Sequence, residues 1–188
     1  MKKLLIGTIA SIMLLNSPVN AEFIKGDDVQ CVQGVRNFYK DYFDLNIPWH
    51  GNAFEFIYEA KKAGYMVGPE PEPGAIAVWE PSDPVNGFTY DNQKARAKQN
   101  AACHKTKDED GCGHVGVVTR KTTLWGWKYV ATNDDGVTER GASKITLNNH
   151  TWVEKPIDYD EEDQPIAYIY IKTPDVVIIG DSYFKRAK

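Results

Sequence analysis

Three prolines within five residues, in the run Gly68-Pro69-Glu70-Pro71-Glu72-Pro73-Gly74, divide this chain into two unlike parts. Proline has no backbone N–H and a fixed φ, so this run can enter neither a helix interior nor a strand ladder. Apolar residues recur with helical spacing before the run and alternate as in strands after it. The sequence therefore predicts two helices before residue 68 and, apart from one short helix, strands after residue 74.

Two helices are predicted in the first part. From Cys31, the residues Val35, Phe38 and Tyr42 follow at i+4, i+7 and i+11, which places them on one helix face. A second helix is predicted after Asn52, ending at Gly64.

Strands are predicted in the second part at residues 75–79, 114–119, 127–132, 145–153 and 166–171. The strand that begins with His114 and the strand that precedes Asn133 are predicted to be antiparallel neighbours. Between residues 81 and 113 the chain is polar, with a short helix predicted around 93–100. A stretch of this length between structured elements is usually functional or disordered.

The first 21 residues have the features of a secretory signal peptide. A basic start, Met1-Lys2-Lys3, precedes an apolar segment that is too short for a permanent membrane span, and Val19-Asn20-Ala21 provides small residues for cleavage. We therefore expect an exported protein, periplasmic or secreted, with no stable membrane anchor after cleavage. Residues 22–188 are expected to form a single domain.

Net charge argues against nucleic acid as a partner. The whole chain carries a formal charge of −4, from 22 basic and 26 acidic residues. Removing Lys2 and Lys3 leaves 20 basic residues against 26 acidic ones, which is −6. An acidic chain is a poor binder of nucleic acid.

An odd number of cysteines is expected to leave one thiol free. In an exported chain, Cys103 and Cys112 are the natural disulfide pair because they flank a short polar loop. Cys31 is then the free thiol. The alternative is a zinc site formed by Cys103, His104, Cys112 and His114, although its spacing matches no common zinc pattern.

Cys31 lies where a helix N-terminus favours the thiolate form. A buried structural cysteine is the simpler interpretation of this stretch by itself. The predicted strands, however, bring His114 and Asn133 close together. A thiolate, an imidazole and an amide in this combination are the groups that hydrolyse amide bonds through a thioester, with no cofactor or metal.

Four motifs in order resemble the cysteine, histidine-dependent amidohydrolase/peptidase (CHAP) domains. They are Gln30-Cys31 at the first helix, His50-Gly51-Asn52-Ala53 with residues 60–65, Gly74-Ala75-Ile76-Ala77-Val78-Trp79, and Gly113-His114-Val115-Gly116-Val117-Val118. The resemblance covers roughly residues 29–133.

The resemblance implies a papain-like α+β fold, with N-terminal helices packed on an antiparallel sheet. It also implies a peptidoglycan hydrolase, either an N-acetylmuramoyl-L-alanine amidase or an endopeptidase. Cys31 would be the nucleophile, His114 the base and Asn133 the residue that orients the imidazole. Many members have Glu where this chain has Ala131, which leaves Asn133 and Asp134 as alternatives for the third role. The segment 81–113 is an insertion relative to the family.

Several expectations remain open at the level of sequence. Gln30, Trp79 and Trp49 are candidates for a substrate groove, although aromatic side chains more often belong to a core. Peptidoglycan is the expected partner, and an immunity or targeting protein is considered as a second one. The competing interpretation is a non-catalytic module that binds the cell wall or a partner on the same fold.

Overall fold

The computed structural model describes most of the chain beyond residue 23. The described residues are 24–25, 30–103, 112–124, 126–132, 135–136, 143–147, 150–157, 164–172, 176–179 and 182–186, of which 24–25, 135–136, 147, 150, 176–179 and 182–186 are described as backbone only. The predicted signal peptide lies outside these residues. No described helix combines the length and the apolar character that a membrane crossing requires.

Helix α1, Cys31–Phe43, is the first element of the site and begins at the predicted residue. Gln30 is its N-cap, and Asp44 ends it in the left-handed conformation with a φ of 53°. Val35 and Phe38 are fully buried on the predicted apolar face. Because helix stability in proteins comes mostly from burying such a face, α1 depends on the sheet beneath it.

The second helical region has two parts, a 3₁₀ helix at Ala53–Glu55 and helix α2 at Phe56–Lys62. It ends as predicted, since Gly64 adopts a φ of +85°, a conformation that glycine accepts without strain. Helix α3, Gln93–Cys103, begins at the predicted residue and extends three residues further, to Cys103.

Eleven strands are described. They are β1 (Ile24–Lys25), β2 (Met66–Gly68), β3 (Ile76–Trp79), β4 (His114–Thr122), β5 (Gly126–Ala131), β6 (Asp135–Gly136), β7 (Ser143–Leu147), β8 (His150–Pro156), β9 (Ala167–Tyr170), β10 (Val176–Ile179) and β11 (Ser182–Arg186). Seven of them form one antiparallel sheet in the order β2-β9-β3-β4-β5-β8-β7. The predicted pairing of the histidine strand β4 with β5 is confirmed.

The prediction of a single strand at 145–153 is wrong. This part of the chain forms two antiparallel strands, β7 and β8, in which Ile145 lies opposite Trp152. The sequence between them, Asn148-Asn149, consists of residues that favour turns, and the periodicity argument overlooked it.

Two further strand pairs lie outside the main sheet. β1 pairs with β6, with Ile24 opposite Gly136, and β10 pairs with β11. The sequence alone gave no location for the run Val176–Ile179.

The core lies between α1 and one face of the sheet. Val35 and Phe38 pack there with Val115, Val117 and Val130, all buried. A second cluster occupies the opposite face and includes Ala77, Val118 and Tyr129, with Trp79 and Trp127 packed against it; it is called the outer cluster below. The α+β architecture with N-terminal helices packed on an antiparallel sheet is thus confirmed.

Candidate active site

Cys31 is the first residue of α1 and is almost completely buried, with 9 % of its surface exposed. The first hydrogen bond of the helix runs from the Gly34 N–H to the Gln30 carbonyl. The N–H groups that precede this bond have no partner within the helix, and their dipoles favour a negative charge. The thiol therefore lies at the electropositive end of α1.

His114 is the first residue of β4 and is half-buried. It follows Gly113, which has a φ of +74°. A Cβ at position 113 would lie 2.8 Å from the Trp79 carbonyl oxygen, so the backbone approaches β3 more closely than another residue would permit. Only glycine therefore fits at this position, directly before the histidine strand.

The thiol and the imidazole form an interacting pair. Burial raises the pKa of the Cys31 thiol, but the charge of His114 and a hydrogen bond to its side chain lower it. The backbone N–H groups of Val115 and Val32 act in the same direction. Because these contributions outweigh burial, the pKa of Cys31 lies below that of an ordinary cysteine, as in reactive thiols.

Gly34 brings the helix close enough to the sheet for this contact. A Cβ at position 34 would overlap the Thr132 hydroxyl group. Gly34 lies one helical turn after Cys31 on the same face, and Thr132 directly follows β5. The absence of a side chain at position 34 therefore sets the distance between the N-terminal turn of α1 and the end of β5.

The third predicted residue, Asn133 or Asp134, lies outside the described residues. The described chain stops at Thr132 and resumes at Asp135 in β6. Ala131, which occupies the position where many relatives have Glu, is fully buried in the outer cluster.

A disulfide joins Cys103, the last residue of α3, to Cys112, two residues before His114. Cys31 is the free thiol. Since each sulfur of the pair is bonded to the other, neither provides the thiolate that the alternative zinc site requires. His104 lies outside the described residues, among which no group of three or more His, Cys, Asp or Glu has metal-binding geometry.

The cysteine pair is held by a network of polar side chains. The Asn52 amide donates to Cys103 Sγ at 3.6 Å and also to the Asn100 side chain. Asn100 Nδ2 donates to Glu55 Oε1 at 2.9 Å, and the Asn52 backbone N–H donates to Glu55 Oε2 at 2.9 Å. Since Gly113 also lies close to the Phe54 backbone, helix α3 and the 3₁₀ helix together support the segment that leads into His114.

The predicted groove residues have different locations. Gln30 is exposed beside Cys31, and Trp79 is half-buried beside His114, so both remain candidates for substrate contact. The expectation for Trp49 is corrected. Only 3 % of Trp49 is exposed because its ring packs against Phe56 and Tyr65, which makes it a core residue with almost no surface for a substrate.

The family model for the CHAP domain matches residues 24–134, which include both Cys31 and His114. The chain belongs to the CHAP domain family. Membership implies a peptidoglycan-hydrolase-type function, because CHAP domains are typically amidohydrolases or peptidases. No match was found among curated proteins or among solved structures.

Sequence reasoning missed several residues that shape this CHAP site. Gly34 had a detectable signal, because glycine inside a helix costs about 1 kcal/mol relative to alanine and often indicates close packing. The Val115 N–H that contacts the thiol, and Tyr129 on the far side of His114, had none. Their roles depend on how α1 packs against β4 and on how side chains pack across the sheet, which a single sequence does not specify.

Proposed function

We propose that this CHAP domain is a cysteine hydrolase that cuts an amide bond of bacterial peptidoglycan, as an N-acetylmuramoyl-L-alanine amidase or as an endopeptidase. Cys31 is the nucleophile and His114 is the general acid and base. The observation that carries the proposal is the contact of a free, buried thiol at a helix start with the His114 side chain, which lowers the pKa of that thiol.

The reaction proceeds in two stages. The Cys31 thiolate attacks the amide carbonyl carbon, and the His114 imidazolium gives its proton to the leaving nitrogen, so that an amine departs and a thioester remains. His114, now neutral, takes a proton from water, whose oxygen attacks the thioester carbonyl. The C–S bond then breaks, which regenerates the thiolate–imidazolium pair and releases a carboxylic acid that loses its proton to water.

The tetrahedral intermediates of both stages carry a negative oxygen. The Cys31 backbone N–H, which precedes the first hydrogen bond of α1, is suited to stabilise it. Loss of one such donor lowers the rate of comparable enzymes by about 10²–10³.

Asn133 is proposed to orient the imidazole, with Asp134 as the alternative. The β4–β5 register supports this role, because it pairs Val117 with Val130. Val117 lies three residues after His114, and Val130 lies three residues before position 133. Extending the register by three residues therefore pairs position 133 with His114.

Export and cellular partners also belong to the proposal. Residues 1–21 are proposed to direct the chain to the periplasm or the exterior, where peptidoglycan is accessible and a Cys103–Cys112 disulfide persists. An immunity or targeting protein remains a proposed partner. A role as a non-catalytic binding module is less well supported, because binding alone does not require a thiol with a lowered pKa.

The test is a hydrolysis assay with purified mature protein and defined peptidoglycan. We expect new amino groups to appear, and mass spectrometry of the released fragments to identify the bond, since an amidase frees the N-terminal L-alanine of the stem peptide and an endopeptidase cuts within the peptides. Cys31→Ala and His114→Ala should each reduce the rate by about 10⁴ or more, as for nucleophile and base in related triads.

Met66→Ala is the matched control for this assay. Met66 is exposed on the edge strand β2, which β9 and β3 separate from β4, so its loss should leave the rate unchanged. Equal rates for the native protein and Cys31→Ala would end the proposal.

A further inference from the structure

The outer cluster reaches the candidate active site through one cross-strand pair. Trp79 and His114 lie directly opposite each other in the β3–β4 register, so their side chains share a face of the sheet. The ring centres are 5.5 Å apart and the planes are tilted by 59°. His114 therefore contacts an indole as well as the thiol of Cys31.

Tyr129 supports the indole from β5. Its ring lies 4.6 Å from the Trp79 ring and 6.3 Å from the His114 ring. A Cβ at Gly116 would lie 2.5 Å from Tyr129 Cδ2, so glycine at this position lets the tyrosine ring lie across β4. The second glycine of the Gly-His-Val-Gly motif is thus required for the packing of Tyr129 beside Trp79 and His114.

An imidazolium is attracted to an indole when it approaches the face of the ring. The face of an aromatic ring is negative, and a cation within about 6 Å of the ring centre is attracted to it. The Trp79 ring is within this distance, whereas the Tyr129 ring is slightly beyond it and already has the Lys155 ammonium 6.0 Å from its centre. The inference therefore depends on Trp79, with Tyr129 as its support.

Charged or titratable side chains on the elements around His114 include Cys31 on α1, Glu55 on the 3₁₀ helix, Tyr129 on β5 and Lys155 on β8, with Glu80 directly after β3. Glu55 is hydrogen-bonded to Asn52 and Asn100, and Glu80 interacts with Tyr90. Lys155 contacts the Tyr129 ring, whereas Cys31 as thiolate favours a positive charge on His114.

We propose that Trp79 is a positioning residue that stabilises the imidazolium form of His114 through its indole face. This inference rests on the proposed function, because it explains how His114 stays protonated until the amine leaves. Tyr129 and Gly116 act through Trp79 by fixing the orientation of its ring.

The test is the titration of His114 by NMR in protein that carries Cys31→Ser, which removes the thiolate contribution. The His114 signal is assigned by its absence in His114→Ala. Trp79→Leu should move the midpoint of the His114 titration down by about half a pH unit, the equivalent of a cation–aromatic attraction of about 0.5–1 kcal/mol. Trp79→Phe, which keeps a weaker ring, should move it less and in the same direction.

Trp127→Leu is the matched control. Trp127 is a tryptophan packed against the same outer cluster, and its ring contacts Lys121. The Trp127→Leu variant should have a lower melting temperature and an unchanged midpoint of the His114 titration. This result separates an electrostatic effect from a loss of packing. If Trp79→Leu does not fold, the Trp79→Phe titration decides.

An unchanged midpoint in the folded Trp79 variants would overturn the inference. The titration needs no substrate, so its outcome is independent of the hydrolysis assay. A retained shift in a protein that fails to cut peptidoglycan would count against the proposed function and leave the role of Trp79 standing.

Discussion

Glu154 on the sheet and Cys31 on helix α1 are both buried beside partners that can carry a positive charge, but the two groups are held in different ways. Glu154 is fully buried on β8, with Arg120 Nη2 at 3.1 Å and Lys128 Nζ at 3.3 Å. These partners come from β4 and β5 of the same sheet. Cys31 meets His114 across two layers, helix and sheet, so its contact depends on how α1 packs.

The partners also differ in chemistry. Burial raises the pKa of Glu154, but hydrogen bonding to Arg120 and the charge of Lys128 outweigh it and hold the pKa below its usual range. Arginine and lysine keep their protons near neutral pH, so the charge on Glu154 is fixed. Histidine is the side chain whose charge most readily changes near neutral pH, so the Cys31–His114 pair is suited to proton transfer. A buried charged group is a better candidate for catalysis when its partner can exchange a proton in this way.

The largest difference should appear when each acidic group is neutralised. Glu154→Gln should lower the free energy of unfolding by about 3 kcal/mol, because two cations then lose their counter-charge in a buried place. Cys31→Ser should change it by less than about 1 kcal/mol while abolishing hydrolysis. Urea unfolding followed by tryptophan fluorescence measures both. Equal losses of stability would show that the two groups are held alike.

Removing the Cys103–Cys112 disulfide should further distinguish the surroundings of Cys31 from those of Glu154. The Cys103→Ser/Cys112→Ser double variant should lose about 2–3 kcal/mol of stability, as expected for a short closed loop. Alkylation of Cys31 by iodoacetamide at pH 7 should slow, because the segment before His114 loses its attachment to α3. A reducing agent should slow alkylation in native protein and have no effect on the double variant, which serves as the control.

The close approach of α1 to β5 gives a smaller test. Gly34→Ala should cost about 1–2 kcal/mol through overpacking against Thr132. It should also raise the pKa of Cys31 towards that of an ordinary thiol, seen in the pH dependence of alkylation. Adding Thr132→Ala should recover part of both effects. Gly34→Ala with native stability and reactivity would contradict the steric role of Gly34.

The smallest effects concern the pH dependence of stability. Glu154 and Cys31 should affect stability in different pH ranges. Because the pKa of Glu154 is lowered by folding, its stabilising contribution is present above the unfolded carboxyl value and is lost as pH falls through the folded one. The stability difference between native protein and Glu154→Gln should therefore shrink in acid. The contribution of Cys31 follows the same rule at alkaline pH, so the difference from Cys31→Ser should grow as pH rises towards about 8.5. Urea unfolding at a series of pH values measures both curves.

Much of the fold was predictable from periodicity and from residues that end elements. Cys31 at a helix start, Gly64 at a helix end and the β4–β5 pairing followed from such local patterns. The strand order did not, because nothing local states that β9 lies between β2 and β3. Trp49 was misjudged because the sequence does not show that its ring packs against Phe56 and Tyr65.

The candidate site was predictable only in part. The types of its residues point to the chemistry, and their order suits the family. The contacts that tune the thiol come from the Val115 backbone and from the space left by Gly34, both of which depend on packing between distant parts of the chain. Every residue other than proline has the same backbone N–H, so a sequence does not reveal which of these groups contacts a sulfur atom.

The pairing of β1 with β6 has a consequence for how the protein is made. The first strand meets a partner that the ribosome produces more than a hundred residues later. A chain therefore has to include both residues 24–25 and residues 135–136 before this ladder can form. Any fragment that stops short of residue 135 leaves the first strand without this ladder, however well its helices form.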